Sequence, residues 1–295
     1  MANQVAKLRQ LLAGPELLLM PCCFDGLSAG LIEAAGFPLT FMSGFAVAAA
    51  RLGLPDTGLI SYGEMIEQGL AICSRVQIPV IGDGDTGYGN AMNVKRTVRG
   101  YRQAGFAGVM IEDQVAPKRC GHTKGKQVVA RDEALARIRA AVDARDEGDD
   151  IIILARTDAR ATHGLDEALR RVEAFAEIGA DIVFLEAPQT KEEMRAFCAA
   201  TPVPKLANML EQGKTPLLPP TELAAMGYKI AAYPLTLLNS AARAMQEALA
   251  TLAKGNHPEQ LLDFADLQRL VGFDDYYREE ARYAAEGAND QRGGK

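Results

Sequence analysis

Short apolar runs alternate with longer amphipathic segments along the whole chain, and this alternation repeats eight times. Parallel strands that are buried on both faces have short, continuously apolar sequences, and a helix usually connects each strand to the next. Eight consecutive strand–helix units predict an α/β fold, a closed (β/α)8 barrel of the TIM type. The predicted strands are Leu17–Pro21, Leu39–Ser43, Val80–Asp83, Gly108–Glu112, Ile151–Arg156, Ile182–Glu186, Lys205–Asn208 and Lys229–Tyr233.

The length predicts one domain. A barrel of this kind takes roughly 250 residues, and no Pro-, Ser- or Gly-rich linker interrupts the 295 residues of the chain. We therefore expect a single barrel domain over 1–295. The helical pattern continues after the eighth strand, which predicts a C-terminal helical extension over 258–288. This extension would either cap the barrel or pack on a partner subunit.

Charge and cysteine usage exclude several classes of protein. The net charge is −6 and no long basic run is present, so a nucleic-acid partner is not expected. Five scattered cysteines without metal-type spacing favour free thiols in a reducing compartment. The N-terminal apolar stretch is too short for a membrane span or a secretory signal. We expect a cytoplasmic protein that does not bind membranes.

Polar residues end the predicted strands, and most of them are acids. In a barrel, the carboxyl ends of the strands form the active-site face. Clustered carboxylates would repel one another unless a cation neutralised them. Carboxylate oxygens as ligands favour Mg²⁺, with Mn²⁺ as a substitute. No His is placed where it would favour zinc. The strand-end residues are Ser43, Asp83, Asp85, Glu112, Arg156, Glu186 and Asn208.

The segment Gly82–Gly87 also matches the GxGxxG pattern of dinucleotide-binding sites. Two aspartates occupy its variable positions, where they would repel a pyrophosphate. Gln103 and Ala104 stand about 20 residues further on, where a ribose-binding acid is usual. The pattern is therefore better interpreted as glycines that let the backbone bring the two aspartates close to a metal.

A basic loop follows the fourth predicted strand and contains a thiol, in the sequence Lys118-Arg119-Cys120-Gly121-His122. Neighbouring cations lower the pKa of a thiol and suit it to acid–base chemistry. A surface loop with an incidental Cys would be the commoner case for such a sequence. Its position at the active-site end of the barrel favours a catalytic loop that closes over an anionic substrate.

Taken together, these motifs resemble the isocitrate lyase and phosphoenolpyruvate mutase superfamily. The loop 118–122 resembles the catalytic signature of the lyase branch and follows Glu112-Asp113-Gln114 at the family spacing. Similarity extends over nearly the whole chain. The other matching segments are 21–28, 43–44, 53–56, 83–90, 155–159, 185–187, 207–208 and 233–235.

The resemblance implies a role for each matching residue. It places Mg²⁺ at Asp83, Asp85 and Glu112. It makes Cys120 the general acid and Arg156 the group that stabilises an enolate oxygen. The implied catalytic set is Cys120, Arg156, Glu186, His122 and Lys118. The implied substrate-binding set is Ser43, Gly44, Phe45, Asp56, Gly121, Asn208 and Thr215, with Asp56 also supporting the metal.

The resemblance further implies a Mg²⁺-dependent enzyme that cleaves a C–C bond in a small anionic 2-hydroxy carboxylate. Within the family, the segments 83–90, 125–127 and 186–188 look most like the branch that cleaves 2,3-dimethylmalate and other alkylmalates. Cleavage of 2-methylisocitrate, hydrolysis of oxaloacetate, phosphonomutase chemistry and a non-catalytic metabolite-binding role remain alternatives. A homo-oligomer is also implied, either a dimer or a tetramer, in which the C-terminal helices can swap between subunits.

Overall fold

A computed structural model describes residues 2–120 and 125–290. Eight parallel strands form a closed barrel in chain order, and the first strand pairs with the eighth. The predicted (β/α)8 fold is therefore confirmed. The strands are β1 (Leu18–Cys23), β2 (Thr40–Met42), β3 (Val80–Asp83), β4 (Gly108–Glu112), β5 (Ile152–Thr157), β6 (Ile182–Leu185), β7 (Lys205–Asn208) and β8 (Ile230–Tyr233).

Helices precede, connect and follow the strands. Several begin at side-chain caps: the Ser61 hydroxyl, for example, accepts a hydrogen bond from the Glu64 backbone N–H. A π-helical turn at Ala48–Leu52 follows the third helix. The helices are α1 (Ala2–Ala13), α2 (Gly26–Ala34), α3 (Gly44–Val47), α4 (Tyr62–Arg75), α5 (Ala91–Gln103), α6 (Arg131–Asp146), α7 (Arg160–His163), α8 (Leu165–Ile178), α9 (Lys191–Ala199), α10 (Pro220–Met226), α11 (Thr236–Leu252), α12 (Phe264–Val271) and α13 (Phe273–Asp290).

The chain forms two compact units, with the boundary between Ala241 and Ala242. The first unit contains the barrel. The second contains most of α11, together with α12 and α13, and the predicted extension at 258–288 lies within it. None of the described helices is long and apolar enough to cross a membrane.

Helix α1 closes one end of the barrel. Val5 and Leu8 are buried in the same apolar cluster as Leu18, Ile152 and Ile230, which begin their strands. This helix is absent from the predicted elements. Because it packs at the amino-terminal ends of the strands, the opposite end remains available for the active site.

A stack of two aromatic rings connects the helical layer to the end of β3. The rings of Tyr101 and Phe106 lie 4.8 Å apart and are fully buried. A Cβ atom at Gly69 in α4 would lie 2.3 Å from the Phe106 ring, and one at Gly82 in β3 would lie 2.6 Å from the Tyr101 ring. The Tyr101 hydroxyl donates to the Asp83 carbonyl oxygen at 2.5 Å. The stack therefore fixes the backbone where the acidic segment begins.

We expect Gly69→Ala to destabilise the protein by about 1–3 kcal/mol, because the added methyl group overpacks a filled site. Gly63→Ala in the same helix is the matched control. Its Cβ would meet only the Ser61 hydroxyl, at 3.9 Å, so that substitution should be neutral or stabilising. Urea unfolding of both variants measures the difference. Equal stability of the two variants would contradict the packing argument.

Candidate active site

One cavity opens at the carboxyl ends of the strands. Nine of the predicted site residues line it, which brings together residues from 43 to 208 in the sequence. Gly44, Asp85, Glu112 and Thr215 do not line it, and Gly121 and His122 lie outside the described residues. The predicted residues that line the cavity are Ser43, Phe45, Asp56, Asp83, Lys118, Cys120, Arg156, Glu186 and Asn208.

The buried Lys118 ammonium group lies between carboxylates. Its Nζ atom is 2.7 Å from Asp56 Oδ1 and 2.8 Å from Asp85 Oδ1. Burial opposes its charge, but the acids around it outweigh that effect and raise the pKa of Lys118 well above its usual value. Lys118 is therefore a permanent cation in this cluster.

Burial dominates the ionisation of the acids themselves. It raises the pKa of Asp85 to about 6, with further upward contributions from Asp83 and Asp56, while Lys118 opposes the shift. Burial also raises the pKa of Glu112 well above its usual value, against the opposing charge of Arg156. The Glu112 Oε1 atom is buried and has no hydrogen-bond partner among the described residues. The cations beside these acids, Lys118 and Arg156, therefore only partly offset the cost of burying them.

Asp83 contacts the segment that begins α3. Its Oδ2 atom accepts a hydrogen bond of 3.2 Å from the Gly44 backbone N–H, and its Oδ1 atom accepts one of 3.0 Å from the Asp85 N–H. A Cβ atom at position 44 would lie 2.6 Å from Asp83 Oδ2, so only glycine fits there. Ser43 caps α3 by accepting from the Ala46 N–H at 3.4 Å. The predicted substrate-binding and metal-binding segments are therefore in direct contact.

Arg156 is held by three carboxylates. Its Nε atom lies 2.8 Å from Asp158 Oδ2 and 3.3 Å from Glu112 Oε2, and its Nη2 atom lies 3.2 Å from Asp158 Oδ1 and 3.3 Å from Glu186 Oε2. The guanidinium carbon lies 5.2 Å from the centre of the Phe184 ring. All of these carboxylate contacts are made by Nε and Nη2, and none of them uses the two N–H groups of Nη1.

Asn208 and Glu186 form the next part of the cavity. The Asn208 amide Nδ2 lies 3.4 Å from both carboxylate oxygens of the fully buried Glu186. Thr215 lies in the loop after β7, and its buried hydroxyl has no hydrogen-bond partner among the described residues. Thr215 thus follows the strand that carries Asn208, but it does not line the cavity.

The loop that carries the thiol is attached to the barrel by Gln114. The Gln114 amide donates to the Arg119 carbonyl oxygen at 2.8 Å and accepts from the Arg119 N–H at 2.9 Å. Cys120, the next residue, is half-buried and lines the cavity. No role was predicted for Gln114. In the sequence, Gln114 is recognisable only as an uncharged polar residue two positions after the strand-end acid Glu112.

The glycines of the 82–87 segment serve close packing. A Cβ atom at Gly84 would lie 2.5 Å from the Met110 carbonyl oxygen, and one at Gly87 would lie 2.3 Å from Val94 Cγ2. Asp85 between them has a φ of +48°, a conformation that few non-glycine residues adopt. The segment thus turns sharply and directs two acids into the cluster, which agrees with the interpretation preferred over a dinucleotide site.

Part of the cavity is apolar, and sequence reasoning missed this part. Leu206 and Leu210 from the β7 end and Pro234 and Leu235 from the β8 end line it, together with Phe184. The cavity also reaches Cys22 in β1. Apolar residues that line a site have the same sequence signature as core residues, so the pattern could not separate them.

A hard divalent cation fits the chemistry of the acidic cluster. Within residues 2–120 and 125–290, no three acidic, thiol or imidazole side chains form a ready metal cage. Mg²⁺ does not need one, because it usually binds through one or two carboxylates and keeps several waters. The unpartnered Glu112 Oε1 and the raised pKa of Asp85 mark where added positive charge would be stabilising. Asp83, Asp85 and Glu112 are the residues that could hold it.

Comparison with known proteins gives consistent results. Residues 8–253 match the family model for phosphoenolpyruvate phosphomutase. The chain is 42% identical to 2,3-dimethylmalate lyase of Eubacterium barkeri, over 96% of this chain and 99% of that protein. It is 40% identical to the chloroplastic carboxyvinyl-carboxyphosphonate phosphorylmutase of Arabidopsis thaliana (94% and 84% covered) and to 2-methylisocitrate lyase of Bacillus subtilis (93% and 90% covered).

Solved structures show the same fold at similar identity. A 2,3-dimethylmalate lyase crystal structure gives a TM-score of 0.90 at 37% identity, covering 95% of each chain. Oxaloacetate acetylhydrolase in complex with 3,3-difluorooxalacetate gives 0.89 at 37% identity, covering 99% of this chain and 98% of that one. Phosphonopyruvate hydrolase with oxalate and Mg²⁺ gives 0.85 at 31% identity, covering 95% and 99%. A structure with this fold has therefore been solved in complex with Mg²⁺ and the small dicarboxylate oxalate.

Lys118→Ala should cost about 3–5 kcal/mol of stability at pH 8 without added metal, because it leaves buried carboxylates without their cation. Lys191→Ala, which breaks the exposed Lys191–Glu222 pair, should cost at most about 1 kcal/mol. Chemical unfolding followed by circular dichroism measures both.

The deficit of Lys118→Ala should shrink as the pH falls from 8 to 5. The folded-state pKa of Asp85 is raised, so the folded protein binds a proton more tightly than the unfolded chain does. Lowering the pH over this range therefore stabilises the folded state. Removal of Lys118 raises this pKa further and strengthens the effect. A deficit that does not change with pH would contradict the proposed electrostatic origin.

Proposed function

Because the chain belongs to the phosphoenolpyruvate mutase and isocitrate lyase superfamily, we propose that it is a Mg²⁺-dependent lyase. Its substrate would be a small 2-hydroxy dicarboxylate of the alkylmalate type, cleaved at a C–C bond into a keto acid and a carboxylate. The observation that carries this proposal is the division of one cavity into a charged part and an apolar part.

The charged part suits a 2-hydroxy carboxylate. Ser43, Asp83 and Arg156 line it, and the buried acids Asp85 and Glu112 contact the lining residues Lys118 and Arg156. The apolar part, formed by Phe184, Leu206 and their neighbours, suits alkyl substituents. Burying each substrate methylene there contributes about 0.8 kcal/mol. A third carboxylate against this wall would lose hydration without gaining a cation, which favours alkylmalates over tricarboxylates.

A bound Mg²⁺ would supply positive charge that stabilises oxygen anions on the substrate, held by Asp83, Asp85 and Glu112. Arg156 would use its Nη1 atom to donate to the enolate oxygen that develops when the bond breaks. Three carboxylates fix its other edge, so the donor is oriented before the reaction begins. Preorganised donors of this kind usually give the largest part of a rate enhancement.

Proton transfer completes the reaction. The substrate hydroxyl loses a proton to a base, the C2–C3 bond breaks, and its electron pair forms the enolate of the departing carboxylate. Cys120 would then give its thiol proton to C3. The half-buried position of Cys120 on the cavity wall supports this role. Lys118 would balance the charge of the acids, and Asp56, which contacts Lys118, would support the metal site. Asn208 would contact a substrate carboxylate, and Glu186 would remain a buried acid near the substrate.

The purified protein should release keto acid from 2,3-dimethylmalate with Mg²⁺ and release none with EDTA. NMR detection of products, with other alkylmalates, 2-methylisocitrate and oxaloacetate assayed in parallel, measures the preference. Faster turnover of 2-methylisocitrate or oxaloacetate would reassign the substrate. No turnover of any of them, with turnover of a phosphonate substrate, would replace lyase by phosphonomutase chemistry.

Cys120→Ser should lower kcat about 100- to 10,000-fold, the usual contribution of a general acid. Asp85→Ala should reduce Mg²⁺ affinity as well as turnover. Cys198→Ser, which changes a thiol in α9 outside the cavity, should retain parental kcat. Full activity of Cys120→Ser in the same assay would rule out the assigned role.

We further propose a cytoplasmic homo-oligomer, a dimer or tetramer, with swapped C-terminal helices. Apolar side chains exposed in each unit support it: Leu27 and Leu31 on α2, and Leu262 and Phe264 in the C-terminal unit. The double substitution Leu262→Glu and Phe264→Glu should lower the mass measured by light scattering to that of the monomer. Gln260→Glu, on a polar exposed neighbour, should leave it unchanged. A monomeric parent protein would contradict the proposal.

A further inference from the structure

Asp158 is the principal partner of the Arg156 guanidinium group. Its two carboxylate oxygens accept from Nε and Nη2, the fork arrangement that fixes both the position and the plane of an arginine. Glu112 and Glu186 contact the same edge at 3.3 Å, which is longer than the 2.8 Å contact to Asp158. Asp158 itself is fully buried and does not line the cavity.

Asp158 is in turn held by a lysine of the thiol loop. Lys126 Nζ lies 2.6 Å from Asp158 Oδ1, and both side chains are almost fully buried. Lys126 lies at the end of the loop that carries Cys120. The loop is closed at its base, where the Val115 N–H donates to the Gln127 carbonyl oxygen at 2.9 Å. The loop that contributes the Cys120 thiol therefore also contacts Asp158, the carboxylate that holds Arg156.

The backbone of Asp158 is fixed independently. Asp113 Oδ1 accepts from the Asp158 N–H at 2.9 Å, and Asp113 Oδ2 accepts from the Thr157 hydroxyl at 2.5 Å. Arg171 Nη1 neutralises Asp113 at 2.9 Å. With its backbone held in this way, the orientation of the Asp158 side chain depends on its contacts with Arg156 and Lys126.

We propose that Asp158 and Lys126 are positioning residues for Arg156. Lys126 holds Asp158 in the rotamer that accepts from Nε and Nη2 of the guanidinium group. Without Lys126, Asp158 loses its second cation, and Glu112 and Glu186 compete for the guanidinium group. The inference rests on the proposed role of Arg156.

The first test observes the arginine directly, without turnover. In protein labelled with ¹⁵N-arginine, the Arg156 Nε–H resonance is assigned by its absence in Arg156→Lys. Lys126→Met and Asp158→Asn should each shift or broaden this resonance. Lys205→Met is the matched control, because it removes a buried ammonium group from the first residue of β7, whereas the active site lies at the other end of the strand. An unchanged Nε–H resonance in both test variants would overturn the proposal.

The second test measures kinetics. Lys126→Met and Asp158→Asn should lower kcat by up to about 100-fold, as a displacement of about 1 Å in a catalytic group can do, and KM should change much less. In the Arg156→Lys background the same substitutions should have no further effect, because they act through Arg156. Losses that persist in that background, or that match those of Lys205→Met, would mean a general structural role and overturn the inference.

The two tests separate this inference from the proposed function. A parent protein that cleaves none of the carboxylates would count against the lyase assignment. The Nε–H resonance would still show whether Lys126 and Asp158 hold the arginine.

Discussion

The structure depends on how it balances charge in a space that excludes water. Buried carboxylates meet at the carboxyl end of the barrel, those of Asp56, Asp83, Asp85, Glu112, Asp113, Asp158 and Glu186, and the described cations among them include Lys118, Lys126, Arg156 and Arg171. Burying an unpaired charge is far more costly than any single apolar contact is favourable. Lys118 lies between two acids, Arg156 contacts three, and Lys126 pairs with Asp158, which leaves a negative excess. That excess is the physical reason why a divalent cation would be stabilising here.

The barrel and its loops contribute opposite charges to this balance. The strands β3 and β4 end in acids, and Glu186 follows β6, whereas both lysines come from the loop after β4. Lys118 neutralises the acids beside Asp83, and Lys126 neutralises Asp158 behind Arg156. One loop thus supplies cations to two parts of the acidic cluster and also places Cys120 at the cavity. A loop anchored by buried ion pairs is held more firmly than one held by surface contacts. If the loop moved away, each buried acid would lose the cation that neutralises it.

Much of this could be predicted from the sequence, for a physical reason. A strand buried on both faces must be apolar along its length, so its first polar residue marks its end, and the ends of parallel strands meet. This logic found Asp83, Glu112, Arg156 and Asn208. It could not find that Lys126 pairs with Asp158, that Gln114 grips Arg119, or that α1 closes the barrel, because these contacts join residues whose spacing follows no period. The apolar wall was missed because lining and core residues obey the same pattern.

The two halves of the cavity can vary independently. The charged half is built from β2 to β6 and their loops, and each of its groups is tied to at least one other buried charge or backbone donor. A substitution there unbalances several partners together. The apolar half includes Leu210, Pro234 and Leu235, whose side chains carry no charge. Exchange of one apolar side chain for another of different size would change which substituent fits while leaving the charged groups in place. The charged half can therefore determine the type of reaction, while the apolar half determines which substrate fits.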